Sequence, residues 1–183
     1  MRMTEARRIL LGAAGLLVLA GCTHYPITDG YSKTLPTTQT VVTVWGGHPL
    51  AASTAVNWLN RRGVAVLEKS KVVAILKERA INTTEDEAAI LKAAKLAGVT
   101  QVVFLETPIF AGSASVALRA VDTETAQVVW SGQAHYEIQV HYMDSYLPDL
   151  TCQALATAWG FRPGGQRRIS WEKMCHSPEG EKR

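Results

Sequence analysis

The chain of 183 residues is 47% hydrophobic and 19% charged, with 19 lysines and arginines against 16 aspartates and glutamates. This composition excludes a disordered or collagen-like chain and is typical of one globular domain with a tail. The formal net charge is +3. Because Arg2, Arg7 and Arg8 against Glu5 supply two of these charges, the rest is nearly neutral and gives no support to a nucleic-acid partner.

Residues 1–21 have the pattern of a secretory signal peptide. The early arginines precede an apolar stretch over residues 9–21, and a charged start before a short apolar region is typical of an export signal. As a helix of about 1.5 Å per residue the stretch is about 20 Å long, short of the ~30 Å core of a bilayer. We therefore predict an export address and not a membrane-spanning anchor.

The end of this segment contains a candidate lipidation site. Leu19, Ala20 and Gly21 precede Cys22, and this order resembles the bacterial lipobox. The resemblance implies cleavage before Cys22, diacylation of its thiol and acylation of its amino group, with palmitate as an expected acyl chain. Several acyl chains suffice for stable membrane anchoring. An ordinary free thiol behind a non-lipid cleavage site is the alternative.

The residue after the cysteine bears on the destination of the chain. Thr23 stands where lipoproteins retained in the inner membrane often carry Asp, so the resemblance favours the outer membrane and a domain that faces the periplasm. Residues 22–40 contain many turn and hydroxyl residues and no periodic apolar face, which predicts a lipidated tether. Extended at about 3.3 Å per residue, the tether would reach as much as ~60 Å.

We predict a folded domain over residues 41–160 and a C-terminal tail over residues 161–183. Residues 41–45 form a β-branched and aromatic run that indicates a buried strand. Pro49 suits the first turn of a helix that ends before Gly63. The apolar residues of this helix recur at helical spacing: Ala52, Ala55, Val56 and Leu59.

A second strand is predicted over residues 64–67. Ser70 is a candidate cap for a helix over residues 71–80, and Thr84 with Glu87 has capping-box spacing ahead of a helix that ends at Gly98. We expect the inward residues of this last helix to include Ala88, Leu91 and Ala94.

The second half of the domain shows strand patterns. Residues 101–106 carry a continuous apolar run, as expected of a strand covered on both faces. From Ser113 the pattern alternates, a turn follows over residues 122–125, and residues 127–142 return as a strand before a helix over residues 148–159. The predicted fold is therefore a mixed α/β sheet with helices packed on it, in the order β-α-β-α-α-β-β-β-α.

Three segments, residues 66–78, 93–103 and 121–132, resemble ordered motifs of the curli secretion lipoprotein (CsgG) family. The resemblance implies the periplasmic α/β fold shared with the amino-terminal domain of TolB and with penicillin-binding-protein activator lipoproteins. Ala126 stands where the family usually has Gly, so we expect a different turn there. Only one long alternating strand is present, whereas a pore of the curli kind needs two spanning hairpins per subunit, so a pore is not predicted.

The loop of Gly46, Gly47 and His48 is the candidate anion- or ligand-binding site, because it lies between a strand and a helix N-terminus. Turn geometry alone is the alternative explanation. His135, Glu137 and His141 fall on one face of a strand, but a zinc site would need a further ligand, and a solvated strand face is the preferred interpretation. No metal, no cofactor beyond the lipid and no catalytic residue is predicted, since the common catalytic motifs are missing.

Cys152 and Cys175 are the two remaining thiols, and an even pair in an exported protein predicts a disulfide. Free thiols are the alternative. Tyr136, Tyr142 and Tyr146 are candidate interface residues because tyrosine is enriched at interfaces. Packing under the last helix is their alternative role.

The sequence therefore predicts a lipid-anchored protein, in the outer membrane and facing the periplasm, that contacts envelope proteins or further copies of itself. Its expected role is that of a subunit or accessory of a secretion, surface-organelle or cell-wall-synthesis complex. The competing function is a ligand-binding or hydrolytic lipoprotein that uses the loop at Gly46, Gly47 and His48.

Overall fold

The computed structural model describes residues 27–79, 86–110, 113–137 and 146–161. The predicted signal peptide, Cys22, His141, Tyr142 and Cys175 lie outside these residues. The described strands are β1 (Ile27–Ser32), β2 (Val41–Gly46), β3 (Ala65–Val66), β4 (Gln101–Glu106), β5 (Ile109–Phe110), β6 (Ser113–Asp122) and β7 (Val128–Glu137). The described helices are α1 (Pro49–Arg61), α2 (Lys69–Glu78), α3 (Glu87–Leu96) and α4 (Leu147–Ala158).

The strands form one mixed sheet in the order β1-β7-β6-β4-β2-β3, with β5 beside β6. Strand β2 runs parallel to β3 and β4, and the remaining pairs are antiparallel. The predicted α/β class and element order are confirmed, and the structure adds two strands that the sequence did not indicate, β1 and β5. The bounds of β4 are those predicted from its continuous apolar run.

Strand β1 lies within the predicted tether, so the link between Cys22 and the sheet is shorter than expected. It pairs with β7 from Ile27 opposite His135 to Ser32 opposite Trp130. Only five residue steps therefore separate Cys22 from the sheet, a reach of at most about 17 Å at ~3.3 Å per residue. The expected tether of residues 22–40 is wrong for this segment, because pairing with β7 and contact with α4 order a sequence that has no apolar period.

The helices lie on both faces of the sheet. Helices α1 and α4 cover one face, where Val103, Leu105, Leu118 and Trp130 are buried. Helices α2 and α3 cover part of the other face, where Val102 is buried with residues of both helices. Strand β4 is buried on both faces, and this explains why its apolar residues are continuous.

Helix α4 approaches the sheet closely at a pair of glycines. Gly30 of β1 lies directly opposite Gly132 of β7. A Cβ atom on Gly132 would collide with the carbonyl oxygen of Ala154, and one on Gly30 would lie 2.7 Å from the backbone of Thr157. The two glycines therefore leave a flat patch on which the backbone of α4 rests.

Three tryptophans join α4 to the rest of this core. The indole N–H of buried Trp130 donates to Oε1 of Gln101 over 3.0 Å. The ring of Trp159 meets that of Trp130 edge-on, with centroids 5.0 Å apart, and that of Trp58 at 4.8 Å. Such edge-to-face pairs stabilise beyond the burial of their area, so the end of α4 is fixed to both α1 and β7.

The starts of α2 and α3 differ from those expected, whereas α1 begins at Pro49 as predicted. Glu68 is the N-cap residue of α2, so Ser70 lies within its first turn. Asp86 caps α3 by accepting from the N–H groups of Ala88 and Ala89. Thr84 lies outside the described residues. Ala88 is exposed instead of inward, because the face of α3 that packs on the sheet is set by its buried residues Ile90, Ala93 and Ala94.

The turn between β6 and β7 contains the residue that departs from the curli family pattern. Oδ1 of Asp122 accepts from the N–H groups of Glu124 and Thr125. Ala126 has a φ of 55°, the left-handed conformation that a glycine adopts without strain. The turn therefore keeps the backbone that Gly would favour, and alanine bears a cost of about 1–2 kcal/mol.

Replacement of Gly132 by Ala tests the contact between α4 and the sheet. We expect Gly132→Ala to lower the free energy of unfolding by about 1–3 kcal/mol or more, because the new methyl group must displace the backbone of α4. Ser131→Ala is the matched control and should change it by less than about 0.5 kcal/mol. Urea unfolding of both variants measures the difference, and equal stability would contradict the tight contact.

Candidate functional site: an uncovered face of the sheet

Among the described residues, the half of the sheet formed by β1, β6 and β7 is covered by helices on one side and not on the other. Helix α4 packs against β1, β6 and β7 from one side, whereas α2 and α3 lie over β2 and β4 on the other. Along β6, buried residues alternate with half-buried ones. This period of two is that of a strand with one covered and one uncovered face.

We name this uncovered surface the open face, and its residues follow from the strand register. Tyr31 of β1 lies opposite Ser131 of β7, which lies opposite Arg119 of β6, and Asp29, Gln133 and Ala117 form the next row. The open face consists of Ile27, Asp29, Tyr31, Glu106, Ser115, Ala117, Arg119, Ser131, Gln133 and His135.

The edge of the open face carries two large exposed apolar side chains. Ile27 is 69% exposed and Tyr31 is 52% exposed. Both belong to β1, the strand at the end of the sheet. Apolar groups that share one surface with polar neighbours are typical of contact surfaces, in which tyrosine is enriched.

The centre of the open face is a shallow depression of about 320 Å³. Arg119 lines it with its guanidinium 4.6 Å above the ring of Phe104. Both carboxylate oxygens of Glu87 on α3 bind this guanidinium, so the arginine is held rigidly and its charge is paired. Asp29 and Glu106 also line the depression, which makes its remaining charged groups acidic.

The predicted loop at Gly46, Gly47 and His48 has a structural explanation for each residue. Gly46 and Gly47 have φ values of 86° and 70°, and a Cβ on either would press against Leu105. The backbone N–H of His48 donates to Oγ1 of Thr107 over 2.8 Å. The glycines are therefore required by the turn itself and by its packing on β4.

His48 also caps the helix that it precedes. Its Nδ1 accepts from the N–H of Leu50 over 3.3 Å, and Pro49 follows in the first turn. The imidazole thus takes one of the N–H groups that an anion would bind at this helix N-terminus. The geometry assigns the loop a capping role and adds no support for the ligand-binding alternative.

The predicted interface tyrosines and disulfide cysteines lie away from the open face or outside the described residues. Tyr136 stacks on Tyr146 with ring centroids 5.8 Å apart, and both are half-buried at the start of α4, which is the alternative that the sequence left open. Cys152 is buried in α4. Because Cys175 lies outside the described residues, the disulfide stays a prediction.

The described residues contain neither a group of metal-binding side chains nor a helix that could span a membrane. Within residues 27–79, 86–110, 113–137 and 146–161, no three or more His, Cys, Asp or Glu side chains are grouped so that they would hold a metal ion. Among the same residues, no helix combines the length and the apolar character needed to cross a bilayer.

Sequence reasoning missed the residues of β1 that belong to the open face. Asp29 and Gly30 are residue types that strands disfavour, and they interrupt the segment between Ile27 and Tyr31. The available signal was Gly30 itself, because a glycine within a strand indicates close approach of another backbone. In the structure that backbone is α4.

Comparison with solved structures identifies similar folds. A point variant of PelC from Paraburkholderia phytofirmans, solved as a dodecamer, aligns with a TM-score of 0.50 and 15% identity over 73% of this chain and 98% of that chain. The C-terminal domain of LpoB from Salmonella enterica aligns with a TM-score of 0.45 and 10% identity over 68% of this chain and 91% of that domain. A lipoprotein from Neisseria meningitidis aligns with a TM-score of 0.43 and 17% identity over 54% of this chain and 80% of that protein.

No family model and no curated protein matches the sequence. At 15% identity the likeness to PelC shows the fold alone. This likeness supports the α/β architecture described above. A functional proposal for this chain therefore has to be based on its own surface residues.

Two variants of His48 separate capping from ligand binding. His48→Ala should lower the free energy of unfolding by about 1 kcal/mol, because the N–H of Leu50 loses its acceptor. His48→Asp should restore or exceed the original stability, since aspartate caps well and its charge suits a helix N-terminus. Thermal unfolding measures both, and equal losses in the two variants would contradict the capping role.

Proposed function

We propose that this chain is a lipid-anchored envelope protein whose α/β domain faces the periplasm and acts by protein contact. Its expected place is that of a subunit or accessory of an envelope assembly, such as a secretion, surface-organelle or cell-wall-synthesis complex. The observation that carries the proposal is the open face, where Ile27 and Tyr31 are exposed at the edge of β1, β6 and β7, the part of the sheet that no described helix covers on that side.

The composition of the open face favours a protein partner. Its edge presents Ile27 and Tyr31 on either side of Asp29, and its centre contains Gln133, Ser131 and the paired Arg119. Interfaces between proteins combine such an apolar part with polar groups that form specific hydrogen bonds. Because Glu87 already orients Arg119, a partner that accepts from the remaining N–H groups of the guanidinium would cause little further loss of side-chain entropy.

The predicted anchor would hold this surface close to a membrane. Five residue steps from Cys22 to Ile27 limit the distance between the lipid and β1 to about 17 Å. A partner of the open face would therefore be a membrane protein or a protein bound near the membrane. The outer membrane is the expected location, on the sequence grounds of Cys22 and Thr23.

Two likenesses are compatible with this proposal. Three segments of the sequence resemble the curli secretion lipoprotein family, and PelC, whose fold is similar, was solved as a dodecamer. We propose assembly for this chain as well, on the basis of its own exposed surface. The ligand-binding or hydrolytic alternative has no comparable observation, since His48 and its neighbouring glycines serve the turn and the helix cap.

Photo-crosslinking in intact cells tests the contact surface. A photoreactive amino acid at Gln133, which is exposed at the centre of the open face, should capture one defined envelope protein. The same residue at Lys92, exposed on α3, is the matched control and should capture little. Equal capture from both positions, or none from Gln133, would contradict a contact role of the open face.

A second arm tests the anchor. Cys22→Ser should transfer the chain from the membrane fraction to the soluble fraction, because no acyl chain is then attached. It should also weaken crosslinking from Gln133, since the partner is expected near the membrane. A Cys22→Ser chain that stays in the membrane fraction would contradict the lipid anchor and leave the contact surface to be judged by the first arm.

A further inference from the structure

Strand β1 has an outer edge that no other described strand occupies. The N–H of Lys33 donates to the carbonyl of Val129 over 2.8 Å, in the register that places Tyr31 opposite Ser131. Bonded residues alternate in an antiparallel ladder. The odd-numbered residues of β1 therefore bond to β7, and the N–H and C=O groups that point to the outer edge belong to Thr28, Gly30 and Ser32.

We propose that this edge pairs with β1 of a second copy of the chain, antiparallel and centred on Tyr31. The charges along the strand are self-complementary about that residue. Asp29 lies two positions before Tyr31 and Lys33 lies two positions after it. In an antiparallel pair centred on Tyr31, each Asp29 faces Lys33 of the other copy and the two Tyr31 rings face each other.

Other registers match less well. A pair centred on Asp29 would bring two carboxylates directly opposite each other, which is unfavourable. A pair centred on Gly30 would set Ile27 against a lysine and Asp29 against a tyrosine. The register centred on Tyr31 combines an aromatic pair with two opposite-charge pairs, and both kinds of cross-strand pair stabilise sheets.

The same register satisfies the outward backbone groups. Gly30 of each copy lies opposite Ser32 of the other, and both residues direct their backbone groups to the edge. In the isolated chain, Oδ1 of Asp29 accepts from the N–H of Gly30 over 2.8 Å, which protects the edge as a polar side chain commonly does. On pairing, this N–H would bond to Ser32 of the second copy and the carboxylate would turn to Lys33.

A groove of about 390 Å³ runs beside this edge, between β1 and the end of α4. It is lined by Thr28, Ser32, Thr157 and Gly160, among others. The side chains that a second β1 would place on this side belong to small residues, threonine, glycine and serine. The groove therefore has room for them without movement of α4.

Edge pairing goes beyond the proposed function. Because it extends the sheet in its own plane, it engages Asp29 and Tyr31 but leaves the centre of the open face, around Ser131 and Gln133, accessible. Two strands of six residues form a small interface, which predicts a weak dimer in solution. Anchoring of both copies in one membrane would raise their effective concentration and strengthen pairing. This last point alone rests on the proposed lipid anchor.

Disulfide trapping in the full chain tests the register. Tyr31→Cys should shift the chain to a disulfide-linked dimer under mild oxidation, because directly opposed residues bring their Cβ atoms close enough for a disulfide. Ile27→Cys is the matched control on the same strand. The side chain of Ile27 is more exposed than that of Tyr31, yet the two copies of residue 27 lie far apart in this register. The Ile27→Cys chain should therefore remain monomeric. The unaltered chain with its native cysteines should remain monomeric as well.

Mixed variants distinguish the proposed register from others. Chains carrying Asp29→Cys and Lys33→Cys should crosslink when they are mixed, and Asp29→Cys alone should not. Charge reversal gives an independent readout: Asp29→Lys and Lys33→Asp should each reduce trapping through Tyr31→Cys, and the double reversal should restore it.

Dimers that form equally from Ile27→Cys, or charge reversals without effect, would overturn the proposal. So would capture of a different protein, without self-crosslinking, through Tyr31→Cys, and that result would leave the proposed contact function intact. Conversely, self-crosslinking at Tyr31 without any partner at Gln133 would support edge pairing and count against the proposed function.

Discussion

The rest of the structure depends on the contact of helix α4 with the glycine pair Gly30 and Gly132. Because neither glycine has a side chain, the backbone of α4 lies against β1 and β7. The tryptophan cluster then fixes the end of the helix. This contact adds β1 to the sheet, although the sequence of β1 has little strand propensity of its own.

The open face follows from the connections between strands. Parallel strands need crossover connections, and the helices between β2 and β4 cover both faces of that part of the sheet. Strands β6 and β7 are joined by a tight turn that carries no helix. Among the described residues, their half of the sheet receives only α4, on one side, and its other side is uncovered.

An element could be predicted from the sequence where its own residues encode the structure, and not where contacts with distant parts of the chain order it. The run in β4 and the alternation of Val116, Leu118 and Ala120 are encoded locally by burial, and both predictions are confirmed. The starts of α2 and α3 were misplaced by about two residues because several polar residues compete for a cap. Strand β1 was missed because tertiary contacts order it and because Asp29 and Gly30, residue types that strands disfavour, interrupt the segment between Ile27 and Tyr31.

The sheet topology, the short link to Cys22 and the exposed edge all depend on β1 being an ordered strand. Amide hydrogen exchange measures directly whether β1 is ordered. In the purified full chain at low concentration, the amides of Asp29 and Tyr31 should exchange slowly because they bond to β7, and those of Thr28 and Ser32 should exchange quickly. Rapid exchange at all four residues would show that the segment is the tether expected from its sequence and would contradict the structure of this edge.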